Sequence, residues 1–491
     1  MSGSADRPNP APARARRWSA LALLCFVQFM LVVDDTVVNV ALPSIRDTLG
    51  FSTPGLAWVV NGYLLAFGGL ILLGGRAGDI LGHRRIFLTG VAVFAVASLA
   101  CGSAHEPWQL VLARFLQGIG GAMASATALA LITLLFDEGP ERAKAIGLWG
   151  GIAALGGVVG YILSGVLTDL LSWRWVFLIN LPVAVVVLVL VPRFVPARDS
   201  TFRGRIDVAG AVLGTAGLTA LVYALLEAPS RGWSSTVVLS AAALSVALLL
   251  AFVVVESRLA QPLIPLGFFA NRTRTAANIT MMLFTTGLFA MFFLLTLHLQ
   301  ERLGWSPLQA GLAYLPMAAT LLGAIALSGP LVARIGARAV LIIGPLTGAA
   351  GLLYLSGVSG QDSYLSAILP GIMLIALGSG LAVPVLATAA MSATTADDAG
   401  LASGMMTVAQ QIGGALGLAV LVSLAGAHTR GLLGDGVDAE SAATGGTELA
   451  LRTAAVLMAL GAVAGLAVRP QPAPSPPAAA GDSSTSIGAS S

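Results

Sequence analysis

The sequence predicts an all-α membrane protein of fourteen transmembrane helices: two six-helix bundles with two further helices inserted between them. Three observations carry this. The 491 residues are 57% hydrophobic and only 10% charged, with a mean hydropathy of +0.89. A soluble domain holds about 45–50% apolar and about 25% charged residues, so one water-facing globule is excluded. The apolar residues fall into blocks of about 20, the length that crosses a hydrocarbon core of about 30 Å. Short motifs also recur at one displacement of 254 residues: "LGFS" at 49–52 returns as "LGWS" at 303–306, and Gly75, Gly82 and Arg84 return as Gly329, Gly336 and Arg338. One shared offset equates helices 1–6 with helices 9–14 and leaves helices 7 and 8 as the insertion.

Charged or Gly/Pro-rich breaks delimit helices over 18–43, 55–74, 86–104, 108–136, 143–168 and 173–195, then 207–227 and 234–256, then 274–299, 308–329, 338–357, 364–388, 400–425 and 449–468. The chain therefore divides into an N-terminal segment (1–17), a first bundle (18–195), a linker with two helices (196–273), a second bundle (274–468) and a tail (469–491). The opening "RARRWSALALLCFVQFMLVV" has the basic flank of a signal peptide. Its apolar stretch is too long and contains acids, with no small-residue cleavage site, so it reads as an uncleaved first helix. Asp397 and Asp398 read as the solvated start of helix 13, and the Pro/Ala/Ser-rich tail as disordered. Segments on the side of the N-terminus hold nineteen of the 26 Arg and Lys residues and the other side six. By the positive-inside rule both termini are cytoplasmic.

Composition narrows the function classes. The net charge of +3 is small and the basic residues are spread among loops, so no nucleic-acid partner is expected. The only cysteines, Cys25 and Cys101, lie in separate apolar runs, which excludes a disulfide framework or a cysteine metal site. No His/Glu cluster suggests a metal and no Gly-x-x-x-x-Gly-Lys-Ser/Thr loop suggests ATP. No nucleophile–base pair is readable, so an enzyme is not expected. The expected partners are the bilayer and a small molecule, with no cofactor and a monomeric chain.

Against this apolar background, three charges stand out. Asp34 and Asp35 lie about 13 Å inside the end of helix 1 that Pro43 marks. Each would cost about 2.5–3.5 kcal/mol at the centre of an isolated span. Adjacent carboxylates in low dielectric resist being ionised together, and a carboxyl poised to take and lose a proton is what proton coupling needs. Helical spacing puts Asp35 on one polar face with Gln28 and Asn39, and Asp34 about 100° away. Arg114 lies about 9 Å from the same membrane face on helix 4, with Gln117 and Gly118 one turn on, so it is expected to pair with one of the two acids. Gln410 and Gln411 of helix 13 are candidates for the cavity wall. At the offset of 254, Asp34 and Asp35 correspond to Leu288 and Phe289, so only the first half carries the acids.

These stretches also carry a family resemblance. "VDDTVVNVALP" (33–43), "GRAGDILGHRR" (75–85) and "LVLARFLQGIGGA" (110–122) resemble motifs of the fourteen-helix drug:proton antiporter branch of the major facilitator superfamily. The resemblance implies that Asp34, Asn39 and Pro43 occupy the first-helix signature. Gly75, Asp79, Gly82, Arg84 and Arg85 would then form the gating loop between helices 2 and 3, and Arg114 and Gln117 the helix 4 motif. The helix 5 signature departs: in "GGVVGYILSGVL" (156–167) Tyr161 stands at the family's Pro and Ser164 at a Gly, while Gly156, Gly160 and Gly165 remain. Small residues at 156, 160 and 164 recur each turn and admit a close helix neighbour.

The expected function is a proton-coupled exporter of hydrophobic or cationic drugs, antibiotics or secondary metabolites, in the plasma membrane. Asp34, Asp35 and Arg114 would couple protons, and Asn39, Gln117, Tyr161, Gln410 and Gln411 would line the cargo cavity. The rivals are an importer or facilitator on the same fold and a transport-inactive membrane sensor.

Overall fold

A computed structural model describes residues 10–196, 206–259, 261–358, 363–392 and 399–468. The first nine residues, the Asp397–Asp398 pair and the tail 469–491 lie outside them. Among the described residues fourteen helices are long and apolar enough to cross a membrane: α1 (Arg16–Leu49), α2 (Thr53–Leu81), α3 (His83–Gly102), α4 (Pro107–Leu135), α5 (Pro140–Leu170), α6 (Trp175–Phe194), α7 (Val208–Arg231), α8 (Thr236–Arg258), α9 (Arg272–Arg302), α10 (Pro307–Ile335), α11 (Ala337–Leu355), α12 (Tyr364–Ala390), α13 (Ala399–Gly434) and α14 (Ala439–Gly465). No strand occurs among the described residues.

The repeat is visible in the backbone. Gly50 (φ 73°) is matched 254 residues on by Gly304 (φ 65°), and Gly82 (φ 96°) by Gly336 (φ 84°). A side chain is strained in this left-handed region, which explains why the motifs carry glycine. The serine of each "LG-S" motif caps the next helix: Ser52 Oγ accepts from Gly55 N, and Ser306 Oγ from Gln309 N. The same turn chemistry thus opens α2 and α10.

Two helices run well past their apolar cores. The sequence places the end of α13 near 425, yet it continues to Gly434; α14 starts at Ala439 rather than near 449. Asp438 Oδ1 caps α14 by accepting from Ser441 N. Its first turns, "AESAATGGTE", are small and polar, so hydropathy misses them. They are held by packing, with Gly446 against the Ala425 carbonyl and Thr444 bonded to Arg302.

Within the first half, α4 lies close on α2 and α3. A Cβ at Gly118 would sit 2.5 Å from the Tyr63 carbonyl oxygen, and one at Gly120 2.5 Å from Phe94 N. Such small-residue contacts bring helices together where lipid offers no hydrophobic drive.

The two halves meet at the face opposite the termini. There Gly311 of α10 abuts the Tyr161 carbonyl (2.5 Å from a Cβ) and Gly165 of α5 abuts Leu308 (2.8 Å). Arg46 Nη1 lies 2.5 Å from Glu301 Oε1, and Gln300 Nε2 donates to the Val40 carbonyl at 2.7 Å. Toward the face of the termini, α5 and α10 diverge. Residues 143–151 are exposed apart from Ala145 and Trp149, and nothing lies within 4 Å of a Cβ at Gly147, Gly150, Gly151, Gly323 or Gly329. The inserted helices flank the other seam: α7 sets Thr215 against Gly69 of α2 and Pro229 against Gly426 of α13.

Candidate functional site: a buried ion pair between α1 and α4

Asp34 is wholly buried and Arg114 is 1% exposed. Arg114 Nη1 lies 2.7 Å from Asp34 Oδ2. The same nitrogen donates to Gln117 Oε1 at 2.8 Å, and Nε donates to the Val59 carbonyl of α2 at 2.9 Å. The other carboxylate oxygen, Asp34 Oδ1, accepts from Gln117 Nε2 and from Asn180 Nδ2, each at 2.7 Å. Gln117 Nε2 also donates to Ser98 Oγ of α3 at 2.8 Å. The guanidinium carbon stands 4.5 Å from the Tyr63 ring centroid and 5.8 Å from that of Phe177.

Five helices of the first half therefore join one network, in which α4 and α6 bond the Asp34 carboxylate of α1 directly and α2 and α3 bond Arg114 and Gln117 behind it. A buried ion pair is tolerated only when its remaining donors and acceptors are satisfied, and here they largely are. The planar guanidinium is used for its shape, since Nε and Nη1 serve different partners. Helix geometry supplies the register: Gln117 follows Arg114 by three residues, so both present to the same neighbour. Asn180 arrives where α6 is interrupted at Ile179.

Asp35 is placed differently. It is half-buried, and no group donates a hydrogen bond to its carboxylate among the described residues. Arg114, expected to meet one of the two acids, bonds Asp34.

The remaining expected residues separate by environment. Gln117 belongs to the Asp34 network and is fully buried, so it does not line a cargo cavity; its amide is consumed by Asp34, Ser98 and Arg114. Asn39 turns back onto its own helix, donating to the Asp35 carbonyl at 3.2 Å, and is 4% exposed. Gln411 packs against Gly68 of α2, 2.8 Å from a Cβ there, so it sits in the seam between halves, while Gln410 is half-buried. Tyr161 packs against Phe292 and Tyr314 of the second half, with ring centroids 4.9 and 4.8 Å away.

Gly156, Gly160 and Ser164 form the expected contact face of α5. Gly156 meets Val32, Gly160 meets Thr36, and Ser164 Oγ donates to the Val37 carbonyl. Gly165 points instead to α10. In the loop motif, Gly82 makes the turn between α2 and α3, and Asp79 Oδ1 lies 3.5 Å from His83 Nε2. Arg84 is half-buried and Arg85 exposed, and Gly75 is loosely packed, with Ala126 3.9 Å from a Cβ.

Sequence reasoning missed Asn180, Ser98 and the Val59 carbonyl. Asn180 had a signal, a lone amide in the apolar run "VFLINLPVAVV". Ser98 and a backbone carbonyl have none.

A helical membrane protein with two related halves, an opening at one face and a buried charge pair in its interior is a multi-pass transporter. The chain belongs to the Major Facilitator Superfamily, whose family model matches residues 24–418. It is 42% identical over 417 residues to the cephamycin export protein CmcT of Amycolatopsis lactamdurans, covering 84% of this chain and 86% of that one. It is 40% identical to the puromycin resistance protein pur8 of Streptomyces alboniger, covering 91% and 88%. It is 41% identical to the lincomycin resistance protein of Streptomyces lincolnensis, covering 84% and 85%. Among solved structures, a bacterial homolog of the human lysosomal transporter Spinster, inward-facing and occupied, superposes with a TM-score of 0.66 at 17% identity, covering 96% and 98%.

Proposed function

We propose that this chain exports hydrophobic or cationic antibiotics or related metabolites across the plasma membrane in exchange for protons. The halves 18–195 and 274–468 would alternate access, with both termini cytoplasmic and no cofactor beyond the proton gradient. The names of its relatives, cephamycin export and puromycin and lincomycin resistance, support the cargo class. The arginine bias supports the orientation, which makes the opening between α5 and α10 face the cytoplasm.

The observation that carries the coupling is the Asp34–Arg114 pair, buried in one half only. A proton on Asp34 would neutralise the carboxylate and release Arg114, Gln117 and Asn180 from it. That gives a two-state element which a proton can bias.

The test uses inverted vesicles energised inside-acid. Wild type should accumulate puromycin or lincomycin and release lumenal protons as it does so. Asp34→Asn should abolish uphill accumulation while keeping cargo binding. Full gradient-driven export by Asp34→Asn, or accumulation only in right-side-out vesicles, would overturn the reading. A reporter fused after Arg469 that is active only outside the cell would overturn the orientation.

A further inference from the structure

We propose that Asp207 and Glu256 hold one proton between them, and that this proton pins the segment 261–270 across α2 and α13. The site is separate from the Asp34–Arg114 pair. It lies in the inserted hairpin, where α7 begins and α8 ends, at the face of the termini.

The geometry isolates two oxygens. Asp207 is the residue before α7, and its Oδ1 accepts from Gly210 N at 2.8 Å. Glu256, two residues before the end of α8, is 4% exposed. Its Oε2 accepts from Ile264 N at 3.2 Å. Each carboxyl group thus has one oxygen held by the backbone. The other two, Asp207 Oδ2 and Glu256 Oε1, are buried and have no donor among the described residues. A Cβ at Gly210 would stand 2.7 Å from Glu256 Oε1 and closer still to Asp207 Oδ2. The two side chains are within hydrogen-bonding reach of each other.

Two ionised carboxylates cannot make that contact. Both only accept hydrogen bonds, and desolvated like charges repel. One shared proton turns the contact into an O–H···O⁻ bond, a short and strong kind, and gives both orphaned oxygens a partner at once. A hard metal cation fits less well, because it takes about six to eight oxygens and two are free here. The surrounding charges supply no substitute. Arg258 and Arg272 are exposed, Arg76 of α2 donates to Gln261, and Asp79 lies beside His83. Over residues 399–427, α13 has no ionisable side chain.

The bond from Ile264 to Glu256 ties α8 to the segment that leads into the second bundle. Arg76 Nη2 of α2 donates to Gln261 Oε1 at 2.9 Å. Ile264 and Phe268 pack with Leu72 of α2 and with Ala402 and Met405 of α13. The segment therefore bridges one helix of each half. Loss of the proton would set two negative charges against each other and push Glu256 off the Ile264 amide. The clip is closed while protonated and opens as pH rises at the face of the termini.

Hydrogen exchange of the segment 261–270 in the purified full-length protein tests this, read as protection factors so that the intrinsic pH dependence of exchange cancels. Wild type should lose protection at least about tenfold between about pH 6 and about pH 9, a range that reaches the highest values documented for buried carboxyls. Glu256→Gln and Asp207→Asn each place an amide donor where the proton sits and keep the oxygen that accepts from the backbone. Either should hold the low-pH protection at both pH values. Glu256→Ala should lack it at both. Exchange of α2 and α13 in the same samples reports that each variant is folded. Wild-type protection that does not change over this range would overturn the proposal. So would amide variants that keep the wild-type pH dependence, or that lose protection at both pH values as a pair bridged by a cation would. None of these readings requires transport, so the proposal can fail while export stands.

Discussion

Removing one member of the Arg114–Asp34 pair should cost far more than removing both. Arg114→Gln leaves the carboxylate with Gln117 and Asn180 as donors but no counter-charge. Asp34→Asn leaves the guanidinium with neutral acceptors, Gln117 and the Val59 carbonyl among them, but no counter-charge. Breaking a buried pair typically costs about 3–5 kcal/mol, because the surviving charge is stranded. In the double variant Arg114→Gln/Asp34→Asn no charge remains, and two amides can hydrogen-bond in its place. The double variant should then be more stable than the sum of the singles by about 2 kcal/mol or more, within the span seen for residues in contact. The assay is a thermodynamic cycle, by reversible denaturation in detergent micelles, on wild type and the three variants. Arg114→Lys belongs in the same series. It keeps the charge but cannot serve the Val59 carbonyl and Asp34 with the same geometry, so it should recover only part of the loss. Additivity within about 0.5 kcal/mol would mean that the two charges do not depend on each other, and would refute the argument.

Other variants follow from the same contacts. Asn180→Leu removes one of the amides on Asp34 Oδ1 and should destabilise by about 1–3 kcal/mol in the same assay, the cost of a buried group left short of a partner. Arg46→Ala breaks a partly exposed ion pair across the face opposite the termini. Such pairs contribute about 0.2–1 kcal/mol, so labelling of a cysteine placed at that face should rise by about fivefold at most. Gly311→Val puts carbon where the Tyr161 carbonyl lies 2.5 Å from a Cβ, so it should keep α5 and α10 apart, raise labelling at that face and reduce export. Unchanged labelling in Gly311→Val would show that this contact does not close the two halves.

The helices and the repeat were legible because each is a periodic or conformational constraint. Blocks of apolar residues have to match the bilayer, and Gly50, Gly82, Gly304 and Gly336 mark backbone that other residues strain to adopt. The ends of α13 and α14 were not legible, since they extend beyond apolar sequence and are stabilised by contacts such as Gly446 with Ala425. In the site, the pairing of Arg114 with an acid followed from depths that differ by only about 4 Å, within reach of an arginine side chain. Two signals competed over which acid leads. The structure separates the two: Asp34, the residue of the first-helix motif, is wholly buried and pairs with Arg114, while Asp35 is half-buried outside that pair. Gln117 was misplaced for a simpler reason. Its spacing from Arg114 fixed its face but not whether that face meets a cavity or the Asp34 network. Asn180 joins from a helix more than sixty residues away in sequence, and no local pattern announces such a contact.

The asymmetry between the halves bears on how such a machine can be driven. At the offset of 254, Asp34, Asp35, Ser98, Arg114 and Gln117 correspond to Leu288, Phe289, Leu352, Ile368 and Gly371. Each of these polar residues has an apolar or featureless counterpart, although the turn glycines and capping serines are retained in both halves. The retained residues are those that build helices and turns; the lost ones are those that hold charge. A second ion pair in the other half would add its own desolvation cost and would have to be neutralised for the same motion. With one pair, a single protonation event can change the internal balance of one bundle while the other acts as an apolar counterpart. The second half contributes Phe292 and Tyr314, which meet Tyr161 at the seam.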